Sequence, residues 1–217
     1  MIRYQAVIFD LDGTLLETER LVVEAGLEAF RRLGLPERRD ILEGLVGTVG
    51  DEAVHVMRAV FGPTFDPATY DAAWRDAVDA AFAAGIPLRP GVTDLLTHLD
   101  LIGMPRAIAT NSRTEPARIN IMAAGIAGYF DPAHIHGRDR VTWPKPAPDL
   151  FLHAARGLGA DPARCLVFED SDPGTIAALA AGMTVIQVPD QRPAGPHGAQ
   201  FIADSLLAGA RAAGLME

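Results

Sequence analysis

Among 217 residues there is one cysteine, Cys165, and one lysine, Lys145; every other basic side chain, apart from histidine, is arginine. A lone cysteine closes no internal disulfide, which excludes a small disulfide-stapled scaffold. Lying in the apolar run 165–168, it reads as a small buried hydrophobe. No apolar run approaches the length of a membrane span. Ile2 and Arg3 lead straight into a first strand, so no signal peptide and a cytoplasmic location are expected. Positive charge is scarce too. Nineteen Lys and Arg against 28 Asp and Glu give a formal net charge of −9, which excludes a nucleic-acid or anionic-membrane surface as partner. Internal repeats and low-complexity tracts are missing. What remains is a chain 49% hydrophobic, able to bury a core as one large or two modest domains.

Residues 6–9, Ala-Val-Ile-Phe, have the pattern of a strand buried on both faces of a parallel sheet. Asp10 and Asp12 follow, at a spacing that puts both on one side of an extended backbone, and Gly13 then permits a turn. Two carboxylates at a strand end repel each other unless a proton or a cation intervenes, and Mg²⁺ prefers such oxygen ligands. By itself the stretch fits either a polar strand end closed by an Asp-Gly turn or a cation site.

Helical patterns fill 19–33, 40–45, 51–61 and 67–84, broken by Gly47, Gly50, Gly62 and Pro63, and no strand is expected between 17 and 88. Beyond 88 strands and helices alternate. Strands are expected at 106–110, 133–135, 165–168, 184–188 and 201–202, with helices at 92–101, 115–124, 149–158, 174–181 and 204–213. This rhythm predicts an α/β fold, a doubly wound parallel sheet with an inserted all-helical domain. The α/β core would comprise 1–16 and 89–217 and the insertion 17–88. Ligands of such sheets gather at the carboxyl ends of the strands.

Polar residues recur at that edge. Thr110, Asn111 and Ser112 end one strand, Lys145 precedes a helix, and Glu169 and Asp170 end another strand. Taken singly, these are a helix cap, a solvated lysine and a helix-start charge. All of them converge on one end of one sheet.

Asp10-Leu11-Asp12-Gly13-Thr14, Thr110, Lys145 and Glu169-Asp170 resemble the four motifs of the haloacid dehalogenase superfamily. The likeness runs over the whole chain. Lys145-Pro146-x-Pro148-Asp149, Glu169-Asp170-Ser171-x-x-Gly174 and the helical insertion are similar to its β-phosphoglucomutase-like branch, in which a helical cap follows the first motif. The resemblance implies a Rossmannoid core and a phosphoryl-transfer enzyme. Asp10 would be the nucleophile that becomes an aspartyl phosphate. Asp12 would be the general acid and then the base. Mg²⁺ would be held by Asp10, the backbone carbonyl of Asp12 and Asp170, with Glu169 supporting its waters. Thr110 and Lys145 would serve the phosphoryl oxygens.

Within that superfamily, the dehalogenases lack the second aspartate, because a carbon–halogen bond needs no proton on its leaving group; Asp12 argues against that activity. Phosphonate-cleaving members use a cap lysine, and 17–88 contains none. Mutases carry a histidine where this chain has Val22 and an arginine where it has Gly50. A phosphatase acting on a small phosphomonoester such as a sugar phosphate is therefore expected. A phosphosugar mutase and a non-catalytic phosphosugar-binding protein are the alternatives. Glu19 and Thr48 from the cap, with Asn111 and Arg113 from the core, are candidate substrate contacts. His55 is expected to pack in a cap helix and Trp143 either to pack beneath the Lys145 loop or to rim the site, while His134 and His136 flank a short strand. A monomer or weak dimer is expected.

Overall fold

A computed structural model describes residues 4–45 and 51–217. The chain divides into two compact units, one of Met1–Glu17 with Pro87–Glu217 and the other of Thr18–Ile86.

In the first unit, β1 (Ala6–Phe9), β2 (Arg106–Thr110), β3 (Ile135–Gly137), β4 (Cys165–Glu169), β5 (Thr184–Gln187) and β6 (Phe201–Ile202) form a six-stranded sheet. The spatial order is β3-β2-β1-β4-β5-β6 and every pairing is parallel. Strands on the two sides of β1 are wound in opposite directions, so the order reverses between β1 and β4. That is where doubly wound sheets open a crevice for ligands.

The period-2 alternation of each strand divides the core into two layers. Ala6, Ile8, Ala109, Cys165, Val167 and Val185 pack against Leu150, Phe151 and Ala154 of α7 (Asp149–Gly157) and Ala177 and Ala178 of α8 (Asp172–Ala180). On the opposite layer, the Phe9 ring stacks on Phe168 at 5.2 Å and meets Phe130 edge-on at 6.3 Å. Helix α9 (Leu206–Ala212) approaches this layer at Gly209, where a Cβ would stand 2.4 Å from Ile186. Alongside it runs α5 (Val92–Leu101), and α6 (Thr114–Ala123) packs by β3.

The second unit consists of α1 (Thr18–Arg32), α2 (Arg39–Leu45), α3 (Asp51–Phe61) and α4 (Pro67–Ala83). Val23, Leu27, Phe30, Leu42, Met57 and Phe65 form its buried centre, and the Phe30 ring lies 4.9 Å from Phe61 and 5.2 Å from Tyr70. Asp66 starts α4: one carboxylate oxygen accepts from the Ala68 amide at 3.1 Å and the other from the Thr69 hydroxyl at 2.6 Å.

Several expectations shift. The strand expected at 133–135 lies at Ile135–Gly137, because Pro132–His134 is a 3₁₀ turn capped by the Asp131 carboxylate on the Ala133 amide. Gly137 belongs to the strand rather than ending it: a Cβ there would lie 2.3 Å from the Thr114 amide nitrogen, so only glycine lets the start of α6 approach. His55 is exposed rather than packed. Trp143 is also exposed, at 66% of its surface. Among the described residues no helix is long and apolar enough to cross a membrane.

Candidate active site

Strand β1 sits between β2 and β4, with Phe9 in register with Ile108 on one side and Phe168 on the other. The polar residues that follow these three strands therefore emerge side by side. Asp10 leaves β1 with its amide bonded to the Phe168 carbonyl at 2.9 Å. The chain then folds back at once, since the Leu15 and Leu16 amides both bond to the Leu11 carbonyl. Gly13 makes this possible at φ +84°. A Cβ there would come within 2.5 Å of an Asp170 carboxylate oxygen.

Lys145 is the hub. Its ammonium donates to Asp10 Oδ1 at 2.5 Å and to Glu169 Oε1 at 2.7 Å, and it lies 4.7 Å from the centroid of the Phe151 ring. All three polar groups are buried, with Asp10 7%, Lys145 6% and Glu169 1% exposed. Burial alone would lower the Lys145 pKa, but the charges of Asp10 and Glu169 more than offset it, so the ammonium stays protonated. The Asp10 carboxyl is pushed up to about 8. Burial is the largest cause, Lys145 opposes it, and Glu169 and Asp12 add to it.

Oxygens of Asp10, Glu169 and Asp170 lie within 4.8 Å of one another, the one such cluster of metal-type ligands among the described residues. Three carboxylates against one ammonium leave two formal negative charges. The all-oxygen donor set and this surplus fit a hard divalent cation. Glu169 is already committed: Oε1 accepts from Lys145, and Oε2 from the Ser171 amide and hydroxyl at 2.7 and 2.8 Å.

Asp12 faces β2. Its Oδ2 accepts from the Ser112 hydroxyl at 2.7 Å and from the Thr110 hydroxyl at 3.4 Å. Thr110 is itself held by the Ser112 amide at 3.0 Å. Asp10, Asp12, Thr110, Lys145, Glu169 and Asp170 are therefore brought together. Asn111 uses its amide otherwise. Both ends clamp the Lys145 backbone, each at 3.1 Å, so the side chain aims the lysine loop. Arg113 stands exposed at the N-cap of α6. Glu19 is half-buried in the first turn of α1, in the helical unit. Thr48 and Gly50 lie outside the described residues.

A family model for haloacid dehalogenase-like hydrolases matches residues 4–182. The chain belongs to that family. It is 35% identical over 199 residues to protein CbbY of Rhodobacter capsulatus, a match covering 86% of each chain. With fructose-1-phosphate phosphatase YqaB of Escherichia coli (strain K12) it shares 31% identity over 86% of this chain and 97% of that one. A HAD family hydrolase from Deinococcus radiodurans R1, solved with bound phosphate and sodium, matches at TM-score 0.85 and 28% identity over 100% of this chain and 99% of that chain.

Sequence reasoning about this haloacid dehalogenase-like site names Thr14, Ser112 and Ser171 without giving them a role, and misses one aromatic. Thr14 donates to Asp170 Oδ1 at 3.1 Å, Ser112 holds Asp12, and Ser171 holds Glu169 while capping α8. A Ser or Thr two residues beyond a site residue would have flagged Thr14 after Asp12, Ser112 after Thr110 and Ser171 after Glu169. The Phe151 ring beside Lys145 carries no such local signal, because the contact depends on how α7 packs. Gly174 is a further requirement: a Cβ there would fall 1.6 Å from Glu169 Oε1.

Proposed function

We propose that the protein is a Mg²⁺-dependent phosphatase that hydrolyses a small phosphomonoester, a sugar phosphate foremost, through an aspartyl phosphate on Asp10. The observation that carries this reading is the buried hub of Lys145 on Asp10 and Glu169, with Asp170 and Asp12 beside it. Kinship with a fructose-1-phosphate phosphatase supports the substrate class.

Asp10 Oδ attacks phosphorus and the ester oxygen leaves, taking its proton from Asp12. Asp12 then accepts a proton from the water that attacks the aspartyl phosphate, which frees Asp10 and inorganic phosphate. Ser112 and Thr110 keep the Asp12 carboxylate turned toward β2 and available for both transfers. Lys145, held charged, keeps Asp10 oriented and supplies positive charge to the phosphoryl oxygens. Asp10, Asp170 and the Asp12 carbonyl would hold Mg²⁺, with Glu169 in support. When bound, the ion neutralises charge that builds up on the phosphoryl group.

Residues 17–88 would act as the cap that selects the leaving group, with Glu19 and Thr48 as contacts, while Asn111 and Arg113 serve from the core. Val22 places an apolar side chain where the mutases carry a histidine, which favours hydrolysis over internal transfer. The enzyme would work in the cytoplasm as a monomer or weak dimer, without nucleic-acid or membrane partners. Phosphate release from a panel of sugar phosphates, phosphoglycolate and nucleoside monophosphates, with Mg²⁺ and with chelator, tests the proposal. Mg²⁺-dependent release led by sugar phosphates is expected. Conversion of a hexose 1-phosphate to its 6-phosphate without release would overturn it in favour of a mutase.

A further inference from the structure

A second polar region lies on the β3 edge of the core unit. Two adjoining clefts, of ≈ 540 and ≈ 500 Å³, share Asp139, Arg140 and His153 as lining residues, and no residue of the Asp10 site lines either one. His136, from β3, lines the smaller cleft and is 5% exposed. Its Nε2 is buried without a hydrogen-bond partner, a costly state for a polar atom. The His136 ring meets His153 of α7 edge-to-face at 4.8 Å. Gly157 keeps space beside Nε2, since a Cβ there would stand 3.3 Å away. Arg118 lines the same cleft with Nε buried and unbonded, but its terminal nitrogens are taken by the Glu115 carboxylate at 2.8 Å and the Pro132 carbonyl at 2.7 Å.

Two guanidinium groups here, those of Arg140 and Arg156, are in no ion pair with the described residues, in a molecule whose formal net charge is −9. One oxygen of Asp139, Oδ1, holds the start of α6, accepting from the Thr114 amide at 2.7 Å and its hydroxyl at 2.9 Å. Arg140 uses only Nε, on the Thr114 hydroxyl at 3.2 Å, and forms no ion pair with the described residues. Arg156, at the end of α7 in the larger cleft, is exposed; Asp149, at the start of α7, is the opposing carboxylate there.

We propose that this region is a second anion-binding site, separate from the phosphoryl-transfer centre. It would take a phosphate group, free or carried by a metabolite, on Arg140 and Arg156 with His136 and His153 as imidazole donors. Guanidinium groups suit a tetrahedral oxyanion through paired charge-assisted bonds. A metal ion suits the place badly, because the arginines repel it and no triad of metal-type ligands includes these histidines among the described residues. Burial first, then His153, His134, Arg140 and Arg118, push the His136 imidazole down to about 4. A bound anion would supply the countercharge and raise that value.

Ring resonances of His136 and His153, followed by NMR in the whole protein, test the site without reference to turnover, so a failure here is distinct from failure of the phosphatase reading. Inorganic phosphate and a non-hydrolysable sugar phosphonate are the two probes. Saturable shifts of both rings are expected, with a rise in the His136 pKa and binding about tenfold weaker in Arg140→Gln. Tighter binding of the phosphonate would assign the site to a phosphorylated metabolite, and equal or weaker binding to free phosphate. Arg156→Gln, which breaks no bond of the fold, should also weaken both. Rings that stay still with either probe, or shifts that persist undiminished in both variants, would overturn the proposal.

Discussion

The two units of this chain hold themselves together in different ways. At the end of the sheet in the core unit, Asp10, Lys145 and Glu169 are buried, Asp12 and Asp170 are half-buried, and each has a partner: Lys145 with Asp10 and Glu169, Asp12 with Ser112, Asp170 with Thr14. The helical unit keeps its charges outside. Its ion pairs, Arg31 and Arg32 with Glu28 or Arg39 with Glu24, join side chains that are all 40% or more exposed, where such pairs add little. An aromatic cluster around Phe30 does the holding instead. Buried charge specifies position at the cost of desolvation, which suits chemistry that needs fixed atoms. An apolar bundle with a solvated surface tolerates replacement of its polar residues.

The sharpest way to break this contrast is to separate activity from stability. Asp12→Asn should lower kcat by about 10²–10⁴-fold, the usual contribution of a general acid–base group, with little change in melting temperature. A large loss of stability would mean that Asp12 is structural. Phe30→Ala should cost the helical unit about 3–5 kcal/mol, read by denaturant unfolding with hydrogen exchange assigned to each unit. Equal loosening of the β-sheet amides would show that the units do not hold themselves separately.

Mg²⁺ acts on the core unit alone in this account. At about a hundredfold excess over its Kd it should stabilise the protein by roughly 2.7 kcal/mol, and the gain should grow with pH. The sign follows from Asp10, whose carboxyl is raised from 3.8 to about 8 in the metal-free fold. The neutral carboxyl contributes stability that is complete below 3.8 and is lost as pH rises through about 8. The ion takes the ionised carboxylate, so its effect is small at the acid end of that window and full at the alkaline end. Thermal melts with and without Mg²⁺ across the window check this, and an effect independent of pH would contradict it. The smallest expected change is Gly174→Ala. The new methyl group must displace the Glu169 carboxylate, at a cost of about 1–3 kcal/mol, and should weaken Mg²⁺ binding as well.

The contrast also explains what could be read from the sequence. Strands β1 and β2 stand where their apolar runs put them, since a strand buried on both faces leaves no other pattern. Asp10, Lys145, Glu169 and Asp170 are legible because together they resemble the haloacid dehalogenase motifs; taken singly, each has an ordinary use as a strand end, a solvated lysine or a helix-start charge. Packing was not legible. Trp143 looked like the partner of the Lys145 loop, yet it is exposed and Phe151, from α7, supplies the ring beside Lys145. His55 lies on a helix whose one buried residue is Met57, and its outward position depends on how that helix is rotated. β3 lies two residues beyond its expected place because Pro132–His134 forms a capped 3₁₀ turn, and Gly137 can join the strand because only glycine admits the approach of Thr114.

The central claim is that Asp10 carries the phosphoryl group. Acid quenching during steady turnover of the best substrate, followed by mass mapping of the peptides, measures this directly. The account predicts a phosphoryl increment on the peptide containing Asp10, absent from Asp10→Asn together with phosphate release. Undiminished turnover in Asp10→Asn, or a working wild-type enzyme whose phosphoryl group sits on another residue, would contradict it.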